Sequence, residues 1–203
     1  MHPALRYIAA AGSKRPPFAI RGNAMSTTVL LSISGHDRPG IVRDVSGALL
    51  ELDTNIEDSS MTALRGRFAM MLIVSLGSTA KLGELKAAMA DLEQKTGLHV
   101  QSVELSENEF SMHAPEPDCV VTVSGSDQPG IVHAVTDALA AMNASVVDLS
   151  TRSRQYQDGN TQYMMALEVA AGDALPKLQE SLSKVADKLD VDIEVHELDG
   201  DVL

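Results

Sequence analysis

One stretch of this chain occurs twice. Ser34-Gly35-His36-Asp37-Arg38-Pro39-Gly40-Ile41-Val42 returns, 90 residues on, as Ser124-Gly125-Ser126-Asp127-Gln128-Pro129-Gly130-Ile131-Val132. The register holds through Val45/Val135, Ala48/Ala138, Leu49/Leu139 and Asp58/Asp148, with Ile56 facing Val146. A repeat of this length constrains the fold strongly, because whatever the first copy builds the second must build too. The pair Met70-Met71 matches Met164-Met165 at an offset of 94, which places a longer loop before it in the second copy. That loop holds Gln157-Asp158-Gly159-Asn160, whose Asp-Gly step is a hairpin-turn signal.

Each copy reads as the same series of elements. Val29 to Ser34 is apolar and β-rich, a strand. Pro39 opens a helix, as a first-turn proline can, and Ile41, Val45, Ala48 and Leu52 mark its apolar face. Ile56 to Leu64 and Phe68 to Leu76 form a hairpin turning at Arg65-Gly66. Leu82, Leu85, Met89 and Leu92 line a second helix that ends near Gly97, and Leu98 to Leu105 is a last strand. The second copy gives a strand at 119–124, a helix at 129–142, strands at 144–154 and 161–170, a helix at 174–189 and a strand at 191–198. The order is βαββαβ twice, an α+β chain of two tandem ferredoxin-like domains. The boundaries expected are a leader or disordered tail at 1–25, a first domain at 26–105, a linker at 106–117 and a second domain at 118–203. The strand Ala69 to Val74 is apolar on both faces, so a sister domain or a second subunit is expected to cover the face the helices leave open.

Charge narrows the function classes. Sixteen Lys and Arg against 28 Asp and Glu give a formal net charge of -12, which disfavours direct nucleic-acid binding. No apolar run is long enough to cross a bilayer, so no membrane partner is expected. The single cysteine, Cys119, allows no intrachain disulfide and falls in phase with Val121 and Val123, a core position. The histidines are scattered without zinc spacing, and no phosphate loop, dinucleotide fingerprint or nucleophile elbow occurs, so no cofactor and no metal are expected. Residues 1–24 carry Arg6, Lys14, Arg15 and Arg21 and no acid, and read as a tail ahead of a start at Met25 or as a targeting segment.

The repeated turn is the strongest candidate for chemistry. Glycine lets backbone approach a ligand, and the helix start behind it turns the N–H groups of Gly40, Ile41 and Val42 toward an incoming carboxylate. Asp37 is placed to accept from an ammonium group. Together these fit a small amino acid. An equally good reading has Asp37 capping the helix and the glycines only making the turn. Asn55 and Ser145, beginning the second strand of each copy, are polar positions expected to line the same crevice, with Ile56 and Val146 beside them. His36 and Arg38 are replaced by Ser126 and Gln128, so the two turns need not take one ligand.

The motif Asp-x-Pro-Gly-Ile-Val between a first strand and a first helix, within a βαββαβ pattern, resembles the ACT domain family of small-molecule-binding regulatory modules. The resemblance covers residues 26–105 and 116–198. Two such domains without a catalytic domain look most like the glycine cleavage system transcriptional repressor group. The same motif also opens the regulatory domain of formyltetrahydrofolate deformylases, which continue into a hydrolase domain.

The resemblance implies a non-enzymatic, cytoplasmic regulator that senses glycine or a related amino acid and acts through a protein partner, a transcriptional activator. It implies domains associated side by side, as in a homodimer, with ligand at a domain–domain interface against the first loop and the start of the second strand. Carried onto this chain, that points to Gly35, Asp37, Gly40, Asp127 and Gly130 and, less directly, to Asn55; the full set of expected ligand-binding positions adds His36, Pro39, Ile41, Ile56, Gly125, Pro129, Ile131, Ser145 and Val146. Two other readings stand beside it: an interaction scaffold, and a regulatory subunit of an amino-acid or one-carbon enzyme.

Overall fold

The buried apolar residues of each unit come from one face of its sheet and from the helix sides packed on it, and the fold follows from burying that layer. The computed structural model describes residues 27–77, 81–155 and 161–198. The leader and the Gln157–Asn160 turn lie outside the described residues. The chain divides at His113/Ala114 into two compact units.

In the first unit β1 (Thr28–His36) is followed by α1 (Ile41–Leu50), β2 (Asn55–Leu64), β3 (Arg67–Ser75), α2 (Leu82–Thr96) and β4 (His99–Leu105). After a single helical turn, α3 (Glu107–Phe110), in the stretch read as linker, the second unit repeats the order. It runs β5 (Cys119–Ser126), α4 (Ile131–Ala141), β6 (Ser145–Gln155), β7 (Thr161–Ala170), α5 (Leu175–Leu189) and β8 (Val191–Glu197). The sheets are antiparallel, ordered β2-β3-β1-β4 and β6-β7-β5-β8. Helices lie on one face of each sheet, the split βαβ arrangement.

Period-two burial on β1 sends Val29, Leu31 and Ile33 to the helix side, with Phe68, Met70, Leu72 and Val74 from β3 beside them. Ile41, Val45 and Leu49 of α1, one helical turn apart, and Leu85, Met89 and Leu92 of α2 close that core. The second core repeats it with Val121, Val123, Val135, Leu139, Leu167, Leu178 and Leu182. Each such fully buried Leu or Val contributes about 1.5–3 kcal/mol relative to exposure. Cys119 lies in this core, where burial first and Asp118 second push its thiol up to about 11, in keeping with a packing role.

Two expectations are corrected here. Pro39 does not open α1: Gly40, at φ 91°, is the cap and Ile41 the first helical residue, because the chain turns through the left-handed region before it coils. The same holds for Pro129 and Gly130. The methionine pairs do not match at an offset of 94. Met70 pairs with Ile33 and Met165 with the equivalent Val123, so the offset in β3 and β7 is 95. One residue of slip exchanges the faces of a strand. Met70 and Met165 are therefore the core pair, while Met71 and Met164 face outward, 52% and 56% exposed.

Candidate ligand-binding turns

Two glycines shape the turn after β1, with different tasks. Gly40 and Gly130, at φ 91° and 98°, hold a conformation that strains any side-chain-bearing residue. Gly35 and Gly125 are small because their neighbours leave no room. A Cβ on Gly35 would lie 2.7 Å from Leu98 Cδ2, and one on Gly125 would lie 2.8 Å from Val191 Cγ1. The strand that passes each of them explains the glycine without a ligand.

At the helix start no side chain caps α1. The N–H groups of Ile41, Val42 and Arg43 have no acceptor among the described residues, as the first turn of an uncapped helix requires. The Ile41 and Ile131 side chains go into the cores, so each offers the turn its amide only. The Asp37 amide donates to the Gly66 carbonyl at 2.9 Å, tying the turn to the β2–β3 hairpin. Its carboxylate makes no hydrogen bond or ion pair among the described residues. The capping alternative for Asp37 is thereby removed. His36 and Pro39 are exposed on the same turn.

Two arginines frame this turn: Arg38, one of the positions at which the copies differ, and Arg43, which the sequence did not single out. Arg38 Nη2 lies 2.8 Å from Asp44 Oδ2, and Arg43 Nη2 lies 2.8 Å from Asp44 Oδ1. Hydrogen bonds from Arg43 first and Arg38 second hold the Asp44 carboxyl below the usual range. Both guanidiniums approach Gly40: Arg43 Nη2 comes 3.4 Å and Arg38 Nη1 3.9 Å from where its Cβ would be. They form one end of an open groove of about 570 Å³ between α1 and α2, floored by Gly47, Ala48 and Ala88.

The second turn has the same backbone and other side chains. Ser153 donates to Asp127 Oδ2 at 2.8 Å, and the partly buried Gln128 donates to the Leu189 carbonyl at the end of α5. The Asp127 amide donates to the Thr161 carbonyl. Burial first and the Asp127 charge second raise the Tyr163 phenol. Among the described residues nothing lies within 4 Å of a Cβ built on Gly130.

Asn55, Ile56, Ser145 and Val146 are exposed but do not line these crevices. Asn55 pairs with Ser75, and Ser75 with Thr28, the first residue of β1, whereas Gly35 pairs with Phe68 at the far end. Seven residues of strand separate the two ends, about 23 Å. The reason is topological: α1 runs back along β1, so the strand after it starts where β1 started. The expectation of one crevice within a unit is corrected accordingly. Asn55 instead donates to Glu57 Oε1 at 2.9 Å, which also accepts from the Ser75 hydroxyl. The Ser75 bond first, then that of Asn55, lowers the Glu57 carboxyl. Among the described residues no group of three or more His, Cys, Asp or Glu is placed to hold a metal ion, and no helix is long and apolar enough to cross a membrane.

The ACT domain family model matches residues 27–102 and again residues 118–196. The chain belongs to the ACT domain family. Its two ACT domains fit the two units described above. A UPF0237 protein of Methanopyrus kandleri is 37% identical over 75 residues, which is 36% of this chain and 83% of that one. A UPF0237 protein of Listeria monocytogenes is 38% identical over 81 residues, 37% of this chain and 89% of that one. These relatives are the length of one ACT domain. Among solved structures, an unknown protein from Galdieria sulphuraria aligns with a TM-score of 0.70 and 33% identity, over 85% of this chain and 99% of that one. A protein provisionally described as a glycine cleavage system transcriptional repressor aligns with a TM-score of 0.66 and 20% identity, over 86% and 99%, a likeness of fold. The protein is thus a tandem ACT domain protein of a regulatory family.

Proposed function

We propose that the protein is a non-enzymatic sensor of a small amino acid, acting through a protein partner. The observation that carries this reading is the first turn. Among the described residues, a helix start with no side-chain cap and three unengaged amides shares its turn with the unengaged carboxylate of Asp37. A free α-amino acid brings a carboxylate to the amides and an ammonium group to Asp37, with charge-assisted hydrogen bonds at both ends. Glycine is the first ligand to test, and the fold likeness to the glycine cleavage repressor names the system to test it in. In this reading the partner is a transcriptional activator, the protein acts as a homodimer, and its place is the cytoplasm.

Isothermal titration of the full chain with glycine and serine tests the ligand. Saturable binding that Asp37→Ala weakens at least tenfold is expected. Heats at buffer level with a folded sample sink the sensor reading. A pull-down tests the partner, and recovery of an amino-acid biosynthetic enzyme in place of a transcription factor would convert the proposal to a regulatory subunit.

An interaction scaffold is the second reading, and one observation favours it. The open face of the first sheet carries Leu30, Met71, Ile73 and Val103, with Met71 and Val103 exposed. A sensor-dead Asp37→Ala chain that still regulates and still binds its partner would favour the scaffold.

A further inference from the structure

The two copies of the turn share a backbone, yet their polar groups are committed differently. In the second copy the acidic side chain is occupied from within its own unit: Ser153, on β6, donates to Asp127 Oδ2 at 2.8 Å. The next residue, Gln128, is drawn onto the Leu189 carbonyl at the C-terminal end of α5. The shared Asp127 and the variable Gln128 are therefore both spent on holding the loop, against the β6 edge and the helix end.

The first copy lacks the group that would do this. β2 and β6 align residue for residue at the offset of 90, so Ala63 stands where Ser153 does. Phe68 likewise stands where Tyr163 does, opposite Gly35 and Gly125. The first copy thus has a methyl where the second has the one hydroxyl that donates to Asp127. Arg38, in the place of Gln128, turns outward to Asp44 and leaves the helix end alone. A carboxylate with no partner among the described residues is the one able to take a ligand's ammonium group.

A second difference points the same way. Arg43 Nη2 and Arg38 Nη1 stand 3.4 and 3.9 Å from the Cβ position of Gly40, beside the exposed amides of α1. Around Gly130 no described residue enters that space, and the equivalents of the two arginines are Gln128 and His133. The first turn therefore places two guanidiniums, both bonded to Asp44, beside the amides, and the one carboxylate they share leaves a net positive charge there for a ligand carboxylate.

We infer that the tandem copies have divided their roles: the turn around Asp37 takes the amino acid, and the turn around Asp127 is a self-satisfied structural copy locked by Ser153 and Gln128. This rests on the amino-acid reading above and assigns it to one of two candidate sites. Arg38 and Arg43 become specificity residues for the ligand carboxylate.

The full chain is titrated with glycine and with serine, as wild type and as Asp37→Ala, Asp127→Ala and Ser153→Ala. The thermal midpoint of each variant is recorded without ligand. One site per chain is expected, with affinity lowered at least tenfold by Asp37→Ala and held within twofold by Asp127→Ala and Ser153→Ala. Without ligand, Asp127→Ala and Ser153→Ala lower the midpoint by about 4 °C and Asp37→Ala does not. Two sites per chain leaves the amino-acid reading standing and overturns this inference. So does an Asp127→Ala variant that binds as poorly as Asp37→Ala, or an Asp37→Ala variant that melts as early as Asp127→Ala. An absence of binding to either amino acid by the wild type removes both.

Discussion

Gly35 and Gly125 occupy equivalent positions, yet a methyl group added to each meets a different neighbour. At Gly35 it lies 2.7 Å from Leu98 Cδ2, the end of a side chain with rotamer freedom, and 3.4 Å from the Leu98 Cα. At Gly125 it lies 2.8 Å from Cγ1, 3.1 Å from Cβ and 3.3 Å from Cα of Val191. A β-branched residue has little room to move, because its Cβ and backbone are part of the clash. Gly125→Ala is therefore expected to destabilise by about 2–3 kcal/mol and Gly35→Ala by about 1 kcal/mol, within the range for overpacked sites. Urea denaturation of the two variants checks the order. Equal losses would mean that β8 shifts as freely as the Leu98 side chain. Neither substitution alters the α1 amides or the Asp37 carboxylate, so glycine binding per folded molecule should survive Gly35→Ala.

At the scale of elements, the two long helices end alike in geometry and differently in sequence. α2 stops at Gly97 with φ 70°, and α5 stops at Asp190 with φ 52°. Both residues sit in the left-handed region, where a side chain costs about 1–2 kcal/mol and glycine costs nothing sterically. Part of that gain is returned through the greater freedom of glycine in the unfolded chain. Asp190→Gly should accordingly stabilise the protein by about 0.5–1 kcal/mol, read as a higher urea midpoint at unchanged slope. A lower midpoint would show that the Asp190 side chain does something for the native state beyond capping.

The elements themselves were readable because period and punctuation agreed. Ile41, Val45 and Leu49 recur at helical spacing, and Arg65-Gly66 turns the hairpin with positive φ at both residues. What could not be read was lateral placement. The chain alone gave no sign that Asn55 begins at the opposite end of the sheet from Asp37, since that depends on the direction in which α1 returns. The offset of 95 was equally hidden. The two adjacent methionines of each copy align as a pair at 94 and as one match at 95, and only strand register decides which member faces the core. The bond between Ser153 and Asp127 joins residues 26 apart on different elements, beyond any local pattern.

For the whole molecule, duplication has kept the interiors and let the surfaces diverge. Leu72 and Leu167 fill the same place in their cores, opposite Leu31 and Val121. On the open sheet faces, Ile73 gives way to Glu168, Val103 to His196 and Met71 to Ala166. A core position answers to its neighbours in packing, so substitutions there are held to the same size and polarity, while an outward position answers to partners or solvent. This contrast is what two domains with one fold and separate tasks require. The two core clusters share no residue among those described, so each should be a stability unit of its own. Leu72→Ala and Leu167→Ala should each cost about 2–5 kcal/mol. Native-state hydrogen exchange locates that cost. Leu72→Ala is expected to speed exchange of the slowest amides by at least about 30-fold in β1, β3 and β4, with β5, β7 and β8 unchanged. Leu167→Ala should give the mirror result. Equal acceleration on both sides from either variant would mean a single cooperative unit, and the division of roles between the two turns would then have to be read as coupled.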